Sequence, residues 1–131
     1  MMTDRDLIEL AVKAKENSYA PYSRFAVGAA LECADGKVFT GSKIENAALE
    51  CTLCAERAAV AAAVSAGHRS FKRIAIFADS VTYCLPCGTC RQMLWEFSPE
   101  IEVLCARSDG RYVSYPLKKL LPEAFSKEIM C

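Results

Sequence analysis

Four residues of this sequence could do chemistry together: Cys54 and Glu56 in C-A-E-R, and Cys87 and Cys90 in C-G-T-C. Thiolates are good ligands for zinc-class metals, and cysteines at i and i+3 present both sulfurs on one face of a helix. At a helix N-terminus the dipole and the unsatisfied N–H groups favour the ionised thiol. Three such thiolates around a cation leave a fourth position for water. Glu56, two residues past Cys54, could face that water without binding the metal, which is the donor set of a hydrolytic site. Two other arrangements use the same cysteines. C-T-L-C at 51–54 with C-G-T-C at 87–90 gives the two C-x2-C pairs of a closed structural zinc site, although the 32-residue gap is long for a zinc ribbon. C-L-P-C or C-G-T-C could be a redox dithiol, without a thioredoxin-type context. Only the open site gives Glu56 a role.

Elements must bring these segments together. Leu7, Ile8, Leu10, Ala11, Ala14 and Ala20 recur at helical spacing, which predicts a first helix ended by Pro21. R-F-A-V-G-A-A-L-E-C and K-V-F-T-G-S-K-I flank Asp35-Gly36 and read as a hairpin. From Cys54 to Ala66 the chain is rich in alanine with no breaker before Gly67, so a helix apolar nearly all round should lie buried between layers. R-I-A-I-F-A reads as a central strand. The loop V-T-Y-C-L-P-C-G-T-C then opens a helix, R-Q-M-L-W-E-F, followed by strand I-E-V-L-C-A, a D-G turn, strand R-Y-V-S-Y and a short helical tail. Two strands followed by α-β-α-β imply an α/β fold with helices on both faces of a mixed sheet.

Composition limits the partners. The 131 residues suit a single domain, 1–131, that can bury a core, and 53% hydrophobic with 24% charged residues does not indicate disorder. Sixteen basic and sixteen acidic residues cancel, and no basic block forms a phosphate-tracking patch, which disfavours polymeric nucleic acid. No apolar run approaches the roughly 20 residues of a membrane span, and the N-terminus carries no signal-like pattern. The expectation is a cytoplasmic protein whose eight cysteines are thiols or metal ligands.

The sequence resembles the zinc-dependent cytidine deaminases of the small homotetrameric type. The likeness runs nearly end to end, through A-P-Y-S-R-F at 20–25, I-E-N-A at 44–47, C-A-E-R at 54–57, P-C-G-T-C-R-Q at 86–92 and L-L-P-E-A-F at 120–125. The wider zinc-deaminase signature is itself a standard example of such a motif. The resemblance implies a three-layer α/β/α sandwich on a central mixed five-stranded sheet. It also implies zinc on Cys54, Cys87 and Cys90, and Glu56 as proton carrier in the hydrolysis of cytidine or 2′-deoxycytidine to the uridine form and ammonia. Arg57 matches an arginine that bonds to the ligand sulfurs and offsets their charge. The sole histidine, His68, follows Gly67 and reads as a solvated helix-end residue.

For the substrate, the resemblance assigns Phe25 to stacking on the pyrimidine, the Ala55 N–H to the base carbonyl, Glu45 to the 3′-hydroxyl and Phe125 to a neighbouring subunit's active site. For Phe125, docking of the C-terminal segment is the competing reading. Three positions depart from the pattern. Lys43 stands where relatives have asparagine, and it could pair with Glu45 or donate to the sugar, favour a substrate with an acidic or altered group near the sugar, or point into solvent. Leu85 replaces serine or threonine, which leaves its backbone carbonyl to hold the leaving amino group and could admit N4-substituted cytosines. Leu49, where relatives often carry an aromatic, bears on a subunit contact. Cys33, Cys51, Cys84, Cys105 and Cys131 read as packed or free thiols. Two alternatives stay open: a deaminase of modified cytosine nucleosides or nucleoside antibiotics, and a zinc-stabilised binding protein without catalysis.

Overall fold

Residues 2–128 are described by a computed structural model of the chain; Cys131 lies outside them. Thr3 starts helix α1 (Asp4–Lys15) through a capping box: its hydroxyl accepts from the Asp6 N–H and the Asp6 carboxylate accepts from the Thr3 N–H. Asp4 and Asp6 sit in its first turn and Lys13 and Lys15 in its last, each complementing the helix dipole. The helix stops before Pro21 is reached. Ser18 leaves the helical path because its hydroxyl both donates to the Val27 carbonyl and accepts from the Val27 N–H. That exchange ties the chain to the next strand, a tertiary contact that helical periodicity does not register.

The hairpin forms as β1 (Val27–Cys33) and β2 (Val38–Ser42), paired antiparallel. It begins at Val27, not at Arg24, because Arg24 adopts φ 59° and turns the chain ahead of the strand. Helix α2 (Ala55–Ser65), strand β3 (Phe71–Ala78), helix α3 (Gly88–Phe97), strands β4 (Glu102–Ala106) and β5 (Tyr112–Pro116) and the short α4 (Leu117–Leu120) follow. The sheet order is β2-β1-β3-β4-β5. Only β3 and β4 run parallel, so the sheet is mixed and β3 is its central strand.

Every residue of β1 is buried because helices cover both faces. On one face Leu7, Ile8 and Ala11 of α1 pack with Ala30, Ala75, Phe77 and Leu104. On the other, Ala55, Ala59, Val60 and Ala63 of α2 and Leu94 of α3 pack with Leu31, Ile74, Ile76 and Val103. Each large aliphatic side chain so buried stabilises the fold by about 1.5–3 kcal/mol. The result is a three-layer α/β/α sandwich. Helix α2 is buried on one side only; Ala61, Ala62 and Ser65 are exposed in the single chain. Its alanines serve another purpose on the sheet side, where α2 lies so close to β2 that a Cβ on Gly41 would stand 2.3 Å from the Ala55 carbonyl oxygen. Among the described residues no helix is long and apolar enough to cross a membrane.

Candidate active site

Both cysteine segments end at helix starts on the same side of the sheet. Cys54 is the N-cap of α2 and Cys87 the N-cap of α3, each with extended backbone, and Cys90 lies in the first turn of α3. Their three sulfurs lie within 4.8 Å of one another, with Cys87 Sγ 3.5 Å from Cys90 Sγ. Cys51 is outside this group, exposed in a single 3-10 turn at Leu49–Cys51. The described cysteines are free thiols.

Charge is shared unevenly among these sulfurs. Cys54 accepts hydrogen bonds from the Cys90 thiol and from Arg57, which lower its pKa to about 5. Cys90 donates to Cys54 and is buried, and both effects push it up. Arg57 Nη2 stands 3.5 Å from Cys54 Sγ and donates to the Thr52 carbonyl at 3.2 Å. Its Nε is buried without a partner, which leaves a donor beside the sulfurs. Three convergent thiols, two helix N-termini and a guanidinium that offsets sulfur charge form a donor set that fits zinc with one position free.

Glu56 is 5% exposed in the first turn of α2. Burial lifts its carboxyl to about 7, opposed by a hydrogen bond from its own backbone N–H and reinforced by the negative charge on Cys54. It opens onto a cavity of about 140 Å³ lined by Phe25, Val27, Lys43, Cys54, Ala55, Glu56, Cys84, Leu85 and Cys87. A buried carboxyl with a raised proton affinity in a cleft is suited to carry protons near neutral pH.

Chain crossings position the rest of the wall. Ile44 bridges to Tyr19 on one side and to Leu53 on the other, so the segment after β2 is fixed between the exit of α1 and the approach to α2. Lys43 and Glu45 flank that clamp. Glu45 is buried and its Oε1 accepts from the Tyr22 and Ser23 N–H groups at 2.9 and 3.1 Å. Its Oε2 takes the Ser23 hydroxyl and lies 3.3 Å from Lys43 Nζ. The Ser23 hydroxyl, the backbone donors and Lys43 together hold Glu45 down to about 2. Lys43 also donates to the Phe25 carbonyl at 3.2 Å, so the lysine is paired with Glu45 and does not point into solvent. Phe25 and Leu85 present about two-fifths of their surface at the cavity mouth. Phe125 does not line the cavity of its own chain; it is 58% exposed, and its carbonyl accepts from Gln92.

Ser23, Val27 and Cys84 join this site without having been singled out by the sequence. A-P-Y-S-R-F contains Ser23, but its partner lies 22 positions away and no local spacing reveals the pair. Cys84 lines the cavity as a thiol that burial pushes up to about 11. His68 is only partly solvated: its side chain is 20% exposed, bonded to Asp35 at 3.0 Å and packed edge-on against Phe39.

Comparison with known proteins agrees with this geometry. The model of the cytidine and deoxycytidylate deaminase zinc-binding region matches residues 1–106. The chain is 47% identical over 123 residues to a cytidine deaminase of Sporosarcina psychrophila, covering 93% of this chain and 90% of that one. It is 44% identical over 125 residues to the cytidine deaminase of Halalkalibacterium halodurans, covering 95% of each. The crystal structure of cytidine deaminase from Burkholderia pseudomallei superposes with a TM-score of 0.92 at 44% identity, covering 95% of this chain and all of that one. The chain belongs to the zinc-dependent cytidine and deoxycytidylate deaminase family.

Proposed function

We propose that this protein hydrolyses the 4-amino group of cytidine, the substrate in its relatives' names, and of 2′-deoxycytidine, releasing ammonia and the uridine form. The observation that carries the reading is Glu56, a buried carboxyl on the wall of the cavity that also exposes Cys54 and Cys87. Cys54, Cys87 and Cys90 would hold a zinc ion, which when bound would supply the Lewis acidity that makes water nucleophilic at neutral pH. Glu56 accepts the proton that water gives up and delivers it to N3 of the base, which makes C4 electrophilic. It then moves a second proton to the amino nitrogen, so that ammonia leaves. Arg57 keeps the sulfur charge from accumulating.

Phe25 offers its ring to the pyrimidine, the Ala55 N–H donates to the base carbonyl and the Leu85 carbonyl accepts from the amino group. Lys43 and Glu45 act toward the sugar. Phe125 reaches the active site of a neighbouring copy in a homotetramer, a reading supported by its exposure, by Leu49 at 74% exposed and by the uncovered outer row of α2. A role in pyrimidine salvage in the cytoplasm agrees with the free thiols.

A substrate panel tests the reading. Zinc-loaded protein should bleach the cytosine absorbance of cytidine and deoxycytidine with equimolar ammonia, and Glu56→Gln should keep zinc and fold while losing about 10²–10⁴ in turnover. Turnover confined to N4- or 5-substituted analogues would establish the modified-nucleoside alternative. No turnover of any of them with zinc bound would leave a binding protein on an enzyme fold.

A further inference from the structure

At the far end of α2 a second set of ligand-type side chains converges. Cys33 Sγ, a carboxylate oxygen of Asp35 and a ring nitrogen of His68 lie within 4.8 Å of one another. Among the described residues this set and the Cys54, Cys87 and Cys90 group are the two places where such side chains gather. The two are separated by the whole of α2, whose 11 residues span roughly 16 Å.

We propose that Cys33, Asp35 and His68 form a second divalent-metal site, of zinc type, distinct from the catalytic one. Thiolate, carboxylate and imidazole are each ordinary zinc ligands, and their mixture suits a borderline cation better than calcium or magnesium, which demand all-oxygen shells. In a formed tetrahedral site the ligand atoms stand roughly 3.3–3.8 Å apart. Asp35 Oδ2 and His68 Nε2, 3.0 Å apart, would part slightly, and Cys33 Sγ, within 4.8 Å of the other ligand atoms, needs a shift of at most about 1.5 Å to come into range. The Asp35 side chain, 54% exposed, has room to move.

The backbone around the three residues is fixed. The Cys33 N–H donates to the Lys37 carbonyl at 2.8 Å, and the Ala34 N–H donates to the Ser70 carbonyl at 3.0 Å. Ala34 and Ser70 thereby join the β1–β2 turn to the α2–β3 loop that carries His68. The His68 N–H donates to the Ala63 carbonyl at 2.9 Å, which places the imidazole at the C-terminus of α2, where the helix dipole favours a cation. The ring meets Asp35 through Nε2, the nitrogen it would offer to an ion, while Nδ1 is buried without a hydrogen-bond partner. The side chains of Cys33 and Asp35 approach it from the turn, and Phe39 closes one wall. Such an ion would pin the α2 C-terminus to the hairpin.

The test is metal stoichiometry on the zinc-loaded full chain. After equilibration with zinc and removal of unbound ion, Asp35→Asn and His68→Gln should each retain one zinc per chain fewer than the parent, with unchanged deamination kinetics. Each should weaken the second zinc by at least about tenfold, since even residues that only support a ligand contribute that much. Metal-free protein reconstituted with cobalt in place of zinc should hold two cobalt ions per parent chain, both with thiolate charge-transfer absorption, and one per chain in each variant. Equal zinc content in the parent and both variants would overturn the proposal, as would a second ion in the parent that persists in both.

Discussion

Lys43 reaches over the ring of Phe25 to Glu45, with its ammonium 5.3 Å from the ring centroid and 3.3 Å from Oε2. Both side chains are largely closed to solvent, so the lysine charge is neutralised where it lies. A substrate phosphate would find no unpaired cation at this residue. Cytidine should therefore show a higher kcat/KM than its 5′-monophosphate. Lys43→Ala should raise KM for cytidine several-fold and change kcat by no more than about threefold, because the contact proposed for Lys43 is to the sugar and not to the reacting carbon. Steady-state kinetics decide: equal losses in kcat and kcat/KM would place Lys43 at the reacting centre instead.

Arg57 supports the thiolate form of Cys54 from 3.5 Å. Removing that positive charge makes the sulfur easier to protonate, and protons compete with metal for thiolates. In Arg57→Ala the pH at which zinc is half released should move upward, and turnover at neutral pH should fall by about 10–100-fold with zinc still bound. Zinc release followed with a chromophoric chelator across a pH series measures the first effect. Identical release curves for parent and variant would remove Arg57 from the charge balance.

Much of this was legible in the sequence because it is local. The spacing of Cys87 and Cys90, the single step from Cys54 to the start of α2 and the placing of Glu56 in its first turn are all fixed by helix geometry. The strand order could be anticipated only through family likeness, since alternation and breakers locate strands without pairing them. What stayed hidden depends on partners distant in sequence. Ser18 ties the segment after α1 to Val27, Ser23 secures Glu45 and Asp35 captures His68, and no periodicity encodes such pairs. Helix α2 was expected to be enclosed because its alanines resemble core; the structure shows that small residues there also serve close approach to β2.

Acid sensitivity should trace in part to Glu45. Its carboxyl falls from an ordinary 4.5 to about 2 in the folded chain, so the stability it contributes is complete above about 4.5 and disappears as pH falls through about 2. Glu45→Gln cannot gain stability by ionising. The difference in urea midpoint between parent and variant should be largest near neutral pH and shrink between those two values. A constant difference across that window would mean that Glu45 acts through shape alone.

The tightest link between fold and chemistry runs through Gly41. A Cβ there would stand 2.3 Å from the Ala55 carbonyl oxygen and 2.5 Å from the Ala59 N–H nitrogen, both backbone atoms of the helix that starts at Cys54. Neither can rotate away as a side chain could. Gly41→Ala must push the first turns of α2 off β2, at a cost of about 1–3 kcal/mol typical of overpacking. The same displacement carries Cys54 and Glu56 with it, whereas Cys87 and Cys90, on α3, stay in place. Loss of zinc affinity and turnover should therefore accompany a lowered Tm, and zinc should restore less of that Tm than it does in the parent. Normal zinc affinity in a destabilised Gly41→Ala would show that the helix start can adjust independently of the strand beneath it.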